Sequence, residues 1–287
     1  MTSGPQLVTN GVPHPPVVIE EPRGREDESR GEYVPGEVLS PSSVNSFFAC
    51  GFKWHCRHVL DLPDIQGSAR CIGKATHATV RENYAQKCET HIDLPLSGVM
   101  AVYKDAWVAE EKETEFRKDE DRAELRAMGA KLVTKYIEAV APLIEPAKVE
   151  YKVEGVIAGV LVKGYIDLLD VHGRIIDLKT AKTSPPKGKI RSDYRFQVAT
   201  YAAIEPKATG EAELHTVVKL AREIKIVPQS FTVTDADRLS LEKLYPLAQA
   251  NMRDGYANPN RNSFLCSKKY CSYWKFCEQE NGGTVPE

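Results

Sequence analysis

No run of about 18 apolar residues occurs in this chain, so no membrane-spanning helix is expected. Met1 to Pro16 lacks a basic start followed by an apolar block, so no secretory signal is read there. There is no Gly-x-x-x-x-Gly-Lys-Ser/Thr loop, which leaves the chain without a nucleotide-driven motor of its own. No internal repeat is found. Residues 1–37 hold almost no aromatics but many Pro, Gly and charged residues. They cannot bury enough apolar surface to offset their ordering entropy, and they read as a disordered tail. Nor is there the strong positive balance of a protein that coats duplex nucleic acid, since the net charge is −2. Any such binding would need a local basic lining.

The full chain of 287 residues is 42% hydrophobic and 27% charged, ordinary for a globular protein, and residues 38–287 read as one large domain. The expected compartment is a reducing cytoplasm. There, seven cysteines are not expected to form structural disulfides, and three crowded near the C-terminus point to metal.

Ser40 can cap a helix and Pro41 suits its first position, with Val44, Phe47, Phe48 and Phe52 following at helical spacing. A second helix is expected over 69–84, carrying His77, and a third, charged one over 118–140. The period then changes. Residues 148–156, 159–170 and 174–179 are rich in Val, Ile and Leu, punctuated by Gly, and predict a three-stranded antiparallel meander. A helix over 194–204, strands over 214–220 and 224–227, and a helix over 234–251 complete the pattern.

The most informative stretch is Gly164-Tyr165-Ile166-Asp167 followed by Asp177-Leu178-Lys179-Thr180. Alternation along a strand puts Asp177 and Lys179 on one face, and a hairpin brings Asp167 beside Asp177. Two carboxylates can hold a hard divalent ion against a phosphate. The lysine would orient or deprotonate water, or offset charge on the phosphate. Glu150, at the start of the meander and opposed in facing to Val149 and Tyr151, is a weaker acidic candidate.

The order of motifs resembles the RecB/AddB-like branch of the PD-(D/E)XK nuclease superfamily. Gly73-x-x-x-His77 comes first, then Gly164-x-Ile166-Asp167, Asp177-x-Lys179-Thr180 and Gln197-x-x-x-Tyr201. The resemblance implies an α/β restriction-endonuclease-like core, a mixed central sheet flanked by helices. It implies Asp167, Asp177 and Lys179 as catalytic residues. Mg²⁺ or Mn²⁺ would be held by His77, Asp167, Asp177 and the Leu178 carbonyl. Gln197 and Tyr201 would look toward DNA, helped by a basic run of Lys182, Lys187, Lys189, Arg191 and Arg195. The plain alternatives are a hydrogen-bonded structural His77, a core aromatic at Tyr201 and a solvated loop for the basic run.

Cys266, Cys271 and Cys277 fall within twelve residues and leave a soft metal one ligand short. The resemblance to AddB and to CRISPR-adaptation nucleases supplies Cys50 as the fourth. The implied cofactor is an iron–sulfur cluster, 4Fe-4S ahead of 2Fe-2S or zinc, that clasps the two ends of the chain. The gap of four between Cys266 and Cys271 departs from the usual Cys-x-x-Cys. Cys56 is the reserve ligand, and Cys71 and Cys88 read as ordinary thiols. The expected activity is metal-dependent hydrolysis of DNA, as an exonuclease in recombination or repair, phage-encoded by family habit. A structure-specific endonuclease, a non-catalytic DNA-binding subunit and an RNA substrate stay open. Partners would be DNA and a separate annealing protein, recombinase or helicase, with no membrane.

Overall fold

The structure, a computed structural model, describes residues 34–219 and 223–287. Of the tail read over 1–37, residues 1–33 lie outside them, and the last four need correction. Residues 34–37 form a turn, with Glu37 N donating to Val34 O, and Gln249 Nε2 bonds Gly36 O at 2.8 Å. That anchor ties the turn to the C-terminal half of the chain.

Strand β1 (Val38–Leu39) leads into α1 (Pro41–Ala49), whose cap is as expected: Ser40 Oγ accepts from Ser43 N at 3.1 Å and Pro41 opens the helix. The helix stops at Cys50, which is extended, and α2 (Gly51–His58) starts afresh. Gly51 lies so close to Asn258 that a Cβ there would meet its backbone at 3.3 Å. Phe52 therefore does not continue the Val44–Phe47 stripe. It packs with Cys56, Tyr273 and Cys277 instead.

The rest runs β2 (Gln66–Gly67), α3 (Ser68–Thr90), α4 (Leu96–Lys112), β3 (Thr114–Glu115) and α5 (Arg122–Ala139). Then come β4 (Pro146–Ile157), β5 (Val160–Asp170), β6 (Ile175–Ala181), α6 (Ser192–Ile204), β7 (Glu211–Lys219) and β8 (Ile224–Thr232). Helices α7 (Asp235–Arg253) and α8 (Trp274–Asn281) close the chain. Helix α4 was not anticipated. Asp121 caps α5, and Thr234 with Asp237 forms a capping box on α7.

The expected mixed sheet flanked by helices is present. Strand β5 is antiparallel to β4 and β6, β7 runs parallel to β6, and β8 returns antiparallel. Helices α1, α6 and α7 bury Val44, Phe196 and Leu241 against one face. Helices α3, α4 and α5 bury Ile72, Trp107 and Tyr136 against the other. Among the described residues no helix is long and apolar enough to cross a membrane.

One irregularity shapes everything that follows. Residues i and i+2 of a regular strand share a face. Yet Ile166 packs on the α6 side and Leu168 on the α3 side, and their cross-strand partners Tyr151 and Val149 do the same. The β4–β5 pair thus reverses its pleat at Asp167 and the facing Glu150, and Glu150 takes φ +38° to do so. Val149 and Tyr151, expected on one side of Glu150, lie on opposite faces.

Candidate active site

Strands β5 and β6 pair only at Leu168–Ile176 and Leu169–Ile175. Beyond that they part, while β6 stays zipped to β7 from Ile175 to Ala181. The parting leaves the Leu178 N–H without a strand partner on the β5 side, and Asp167 Oδ2 accepts from it at 3.1 Å. Asp167 also stands 3.6 Å from His77 Nδ1.

Asp177 and Lys179 do share a face. Lys179 Nζ donates to Asp177 Oδ1 at 2.9 Å and lies 2.7 Å from Oδ2, which makes no hydrogen bond of its own. Asp177 is only 2% exposed. Burial, reinforced by Asp167 and opposed by Lys179, pushes its carboxyl up to about 6. Burial alone would lower Lys179, but the charges of Asp177 and Asp167 outweigh it and hold the ammonium above its ordinary value. Lys179 also sits 5.1 Å above the Tyr194 ring. Tyr194 escaped the sequence reading, although its place three residues before Gln197, on the same helix face, was the available signal.

Two glycines bring the motifs together. A Cβ at Gly73 would be 3.2 Å from Thr180 Oγ1, so α3 can settle on β6, and His77 one turn later reaches Asp167. A Cβ at Gly164 would be 2.5 Å from Tyr201 Cε1. Tyr201 therefore packs closely against β5 at Gly164, 5% exposed, its phenol pushed up to about 12 by burial. Gln197 Nε2 donates to the Tyr201 hydroxyl at 3.2 Å, and Gln197 Oε1 accepts from Lys179 at 3.4 Å. The pair expected to look toward DNA faces the lysine.

The basic run divides. Lys182, Lys187 and Lys189 are exposed. Arg191 makes two bonds to Asp193 and stacks 4.6 Å over Tyr194. Arg195 is committed elsewhere: both Asp237 oxygens, at 2.5 and 2.6 Å, and the Thr232 carbonyl hold it at the start of α7. Its expected place in a DNA channel gives way to a structural ion pair. Glu150 lines a cavity with His77, Arg81 and Asp167, 3.8 Å from the Arg81 guanidinium.

Among the described residues no set of three or more His, Cys, Asp or Glu side chains is arranged to hold a metal ion. At the carboxylates the reason is visible: Asp177 is turned onto Lys179. The donor chemistry nonetheless suits a hard cation, with an imidazole, two carboxylates and the unbonded buried Asp177 Oδ2. The cysteines likewise do not converge on a point. Cys50, Cys266, Cys271 and Cys277 line one cavity of about 380 Å³, counted to its open mouth. Asn260 N donates to Cys50 Sγ at 3.5 Å and Asn281 Nδ2 to Cys277 Sγ at 4.0 Å. Burial raises the Cys271 and Cys277 thiols and pushes Cys56, behind the cavity wall, to about 12.

A helix-backed mixed sheet with an Asp and an Asp-x-Lys on parting strands defines a nuclease core. The chain belongs to the PD-(D/E)XK nuclease superfamily, whose profile matches residues 38–278. No curated protein matches it. A crystal structure from Eubacterium rectale, whose name proposes an exonuclease, is similar over 88% of this chain and 91% of its own. It shares 16% identity with a TM-score of 0.55, which shows the common fold. The structure named SSO0001 aligns over 85% of this chain and 96% of its own, at 14% identity and a TM-score of 0.32. That similarity is too low to argue from.

Proposed function

We propose that this protein is a divalent-metal-dependent deoxyribonuclease that removes nucleotides from single strands or duplex ends during recombination or repair. The observation that carries the reading is the interlock around Lys179. Four separated motifs meet there through His77–Asp167–Leu178 N and Asp177–Lys179–Gln197–Tyr201. A binding protein has no need of two carboxylates where phosphates approach.

Asp167, Asp177, His77 and the Leu178 carbonyl would hold Mg²⁺ or Mn²⁺, which supplies a Lewis acid and an activated water. The remaining work belongs to the chain. Lys179, kept cationic by its carboxylate neighbours, faces the charge that grows on the phosphate. Gln197 and Tyr194 fix where that charge sits. Lys182, Lys187, Lys189 and Arg191 line the approach of the strand.

The four cysteines lining one cavity support a soft-metal or iron–sulfur site, and the cluster is preferred to a single zinc ion on the family resemblance alone. Its role would be a clasp between Cys50 and the C-terminal segment. An annealing protein, recombinase or helicase would act as a separate partner.

End-labelled linear and circular DNA, single- and double-stranded, incubated with Mg²⁺, Mn²⁺ or EDTA, tests the reading. Mononucleotides or short products from linear DNA only, abolished by EDTA, are expected. Cleaved circles would make it an endonuclease, and RNA arms test that substrate. No cleavage under any condition would leave a non-catalytic DNA-binding subunit.

A further inference from the structure

Strands β6 and β7 run parallel; β6 ends at Ala181, beside Val218, and β7 one residue later at Lys219. The residues after that pair are both lysines, Lys182 and Lys219, on strands about 4.8 Å apart. Val217 packs on the α3 side of the sheet, so Lys219, two residues on, faces that way. Thr180 touches Gly73 of α3, so Lys182 faces the same way. This is the face that carries His77. Lys179 faces the α6 side, so the pair lies across the sheet from it and about 10 Å, three strand residues, further along.

Neither ammonium forms an ion pair with a described residue. The acid that bears on both, Glu120, is already bound by Ser68 Oγ at 2.6 Å, by Arg117 N at 3.0 Å and by the Arg117 guanidinium. Lys219 is only half-exposed. Burial, and next the charge of Lys182, lowers its pKa, as expected of two cations confined side by side. Open parallel sheets bind ligands at the C-terminal ends of their strands, and a cation pair there that no described residue holds in an ion pair is suited to an anion.

We infer that Lys182 and Lys219 grip the phosphodiester backbone of the DNA strand one or two nucleotides beyond the bond to be cut. The inference rests on the nuclease reading above and adds Lys219, on a different strand from the catalytic lysine, to the substrate path.

The test is binding of a fluorescent single-stranded DNA oligonucleotide in EDTA, followed by anisotropy between 50 and 200 mM salt. Each lysine removed should flatten the slope of log affinity against log salt by about 0.7, about fivefold weaker binding at 0.1 M. Lys219→Met and Lys182→Ala should each do this, and the double variant about twice as much. The melting temperature of Lys219→Met should stay level or rise, because a cation disfavoured by burial is gone. Lys243→Met, an exposed lysine of α7, removes the same charge and should leave the slope unchanged. Unaltered slopes in Lys219→Met and Lys182→Ala, or the same loss in Lys243→Met, overturn the pair while wild-type binding keeps the nuclease reading. A wild-type chain that binds no DNA overturns both.

Discussion

Gly164→Ala tests whether the motifs are mechanically coupled. The new methyl would stand 2.5 Å from Tyr201 Cε1 and 3.3 Å from its Cζ. Tyr201 is 5% exposed and part of the α6-side core, so its ring cannot swing aside without displacing neighbours. Overpacking of this kind costs about 1–3 kcal/mol. In a domain this size that lowers the melting temperature by about 3–10 °C. The displaced ring carries Gln197 with it, and Gln197 releases Lys179, so cleavage should fall more than the stability loss explains. Calorimetry and single-turnover cleavage measure the two effects. Tyr201→Ala supplies the control: in that background Gly164→Ala should cost nothing and could gain a few tenths of a kcal/mol, since alanine stiffens a strand that glycine leaves loose. A double-mutant cycle with no coupling between 164 and 201 would refute the packing argument.

The other predictions concern charge and metal. Lys179→Ala should slow cleavage at least about 10²-fold and, by leaving Asp177 buried without its partner, cost about 3–5 kcal/mol at pH 8. That cost should shrink as pH falls, because the raised carboxyl can then take a proton, and denaturant melts at pH 8 and pH 5 check it. Burial alone would raise Asp237, but Arg195 and Thr234 pull it down to about 2. Arg195→Met should therefore lose about 1–2 kcal/mol at neutral pH, a difference that vanishes as pH drops from about 4 toward 2, where the wild-type carboxylate is itself protonated. Asp167→Ala orphans the Leu178 N–H and should cost about 1–3 kcal/mol, whereas Asp167→Asn keeps an acceptor and most of the stability. Neither should cleave DNA. Anaerobically purified protein should be brown and carry iron, and Cys277→Ser should lose both colour and thermal stability. Colourless protein with one zinc would keep the clasp but not the cluster.

How far the sequence could be read depended on which force decided each feature. The β4–β5–β6 meander was legible because hydrophobic alternation and glycine punctuation are local. Asp177 and Lys179 on one face followed from strand geometry alone. Helix α4 was missed because only Val99, Tyr103 and Trp107 of its seventeen residues are buried, a stripe too thin to stand out. The break at Cys50 depends on Asn258, two hundred residues away, and nothing near Phe52 announces it. Arg195 looked like one more member of a basic run because its partner Asp237 lies on another helix. The pleat reversal at Glu150 was likewise hidden, since it expresses a competition between strands rather than any residue's preference.

That competition explains why the catalytic candidates sit where they do. Strand β6 has two neighbours, and it cannot follow both once their directions diverge. It keeps seven register positions with β7 but only two with β5. A buried backbone donor left unpaired costs about 1–3 kcal/mol, so parting from β5 at Leu178 is tolerable only if something else accepts. Asp167 does, and it can reach across because the pleat reversal frees its side chain from either packed face. A carboxylate fixed by the needs of the backbone is held in place whether or not substrate is present. The same parting opens the sheet next to Asp177, where Gly73 and Gly164 let α3 and Tyr201 close in from opposite sides. The motifs are therefore not four separate signatures. They are the parts needed to open a sheet at one point and line the opening with charge.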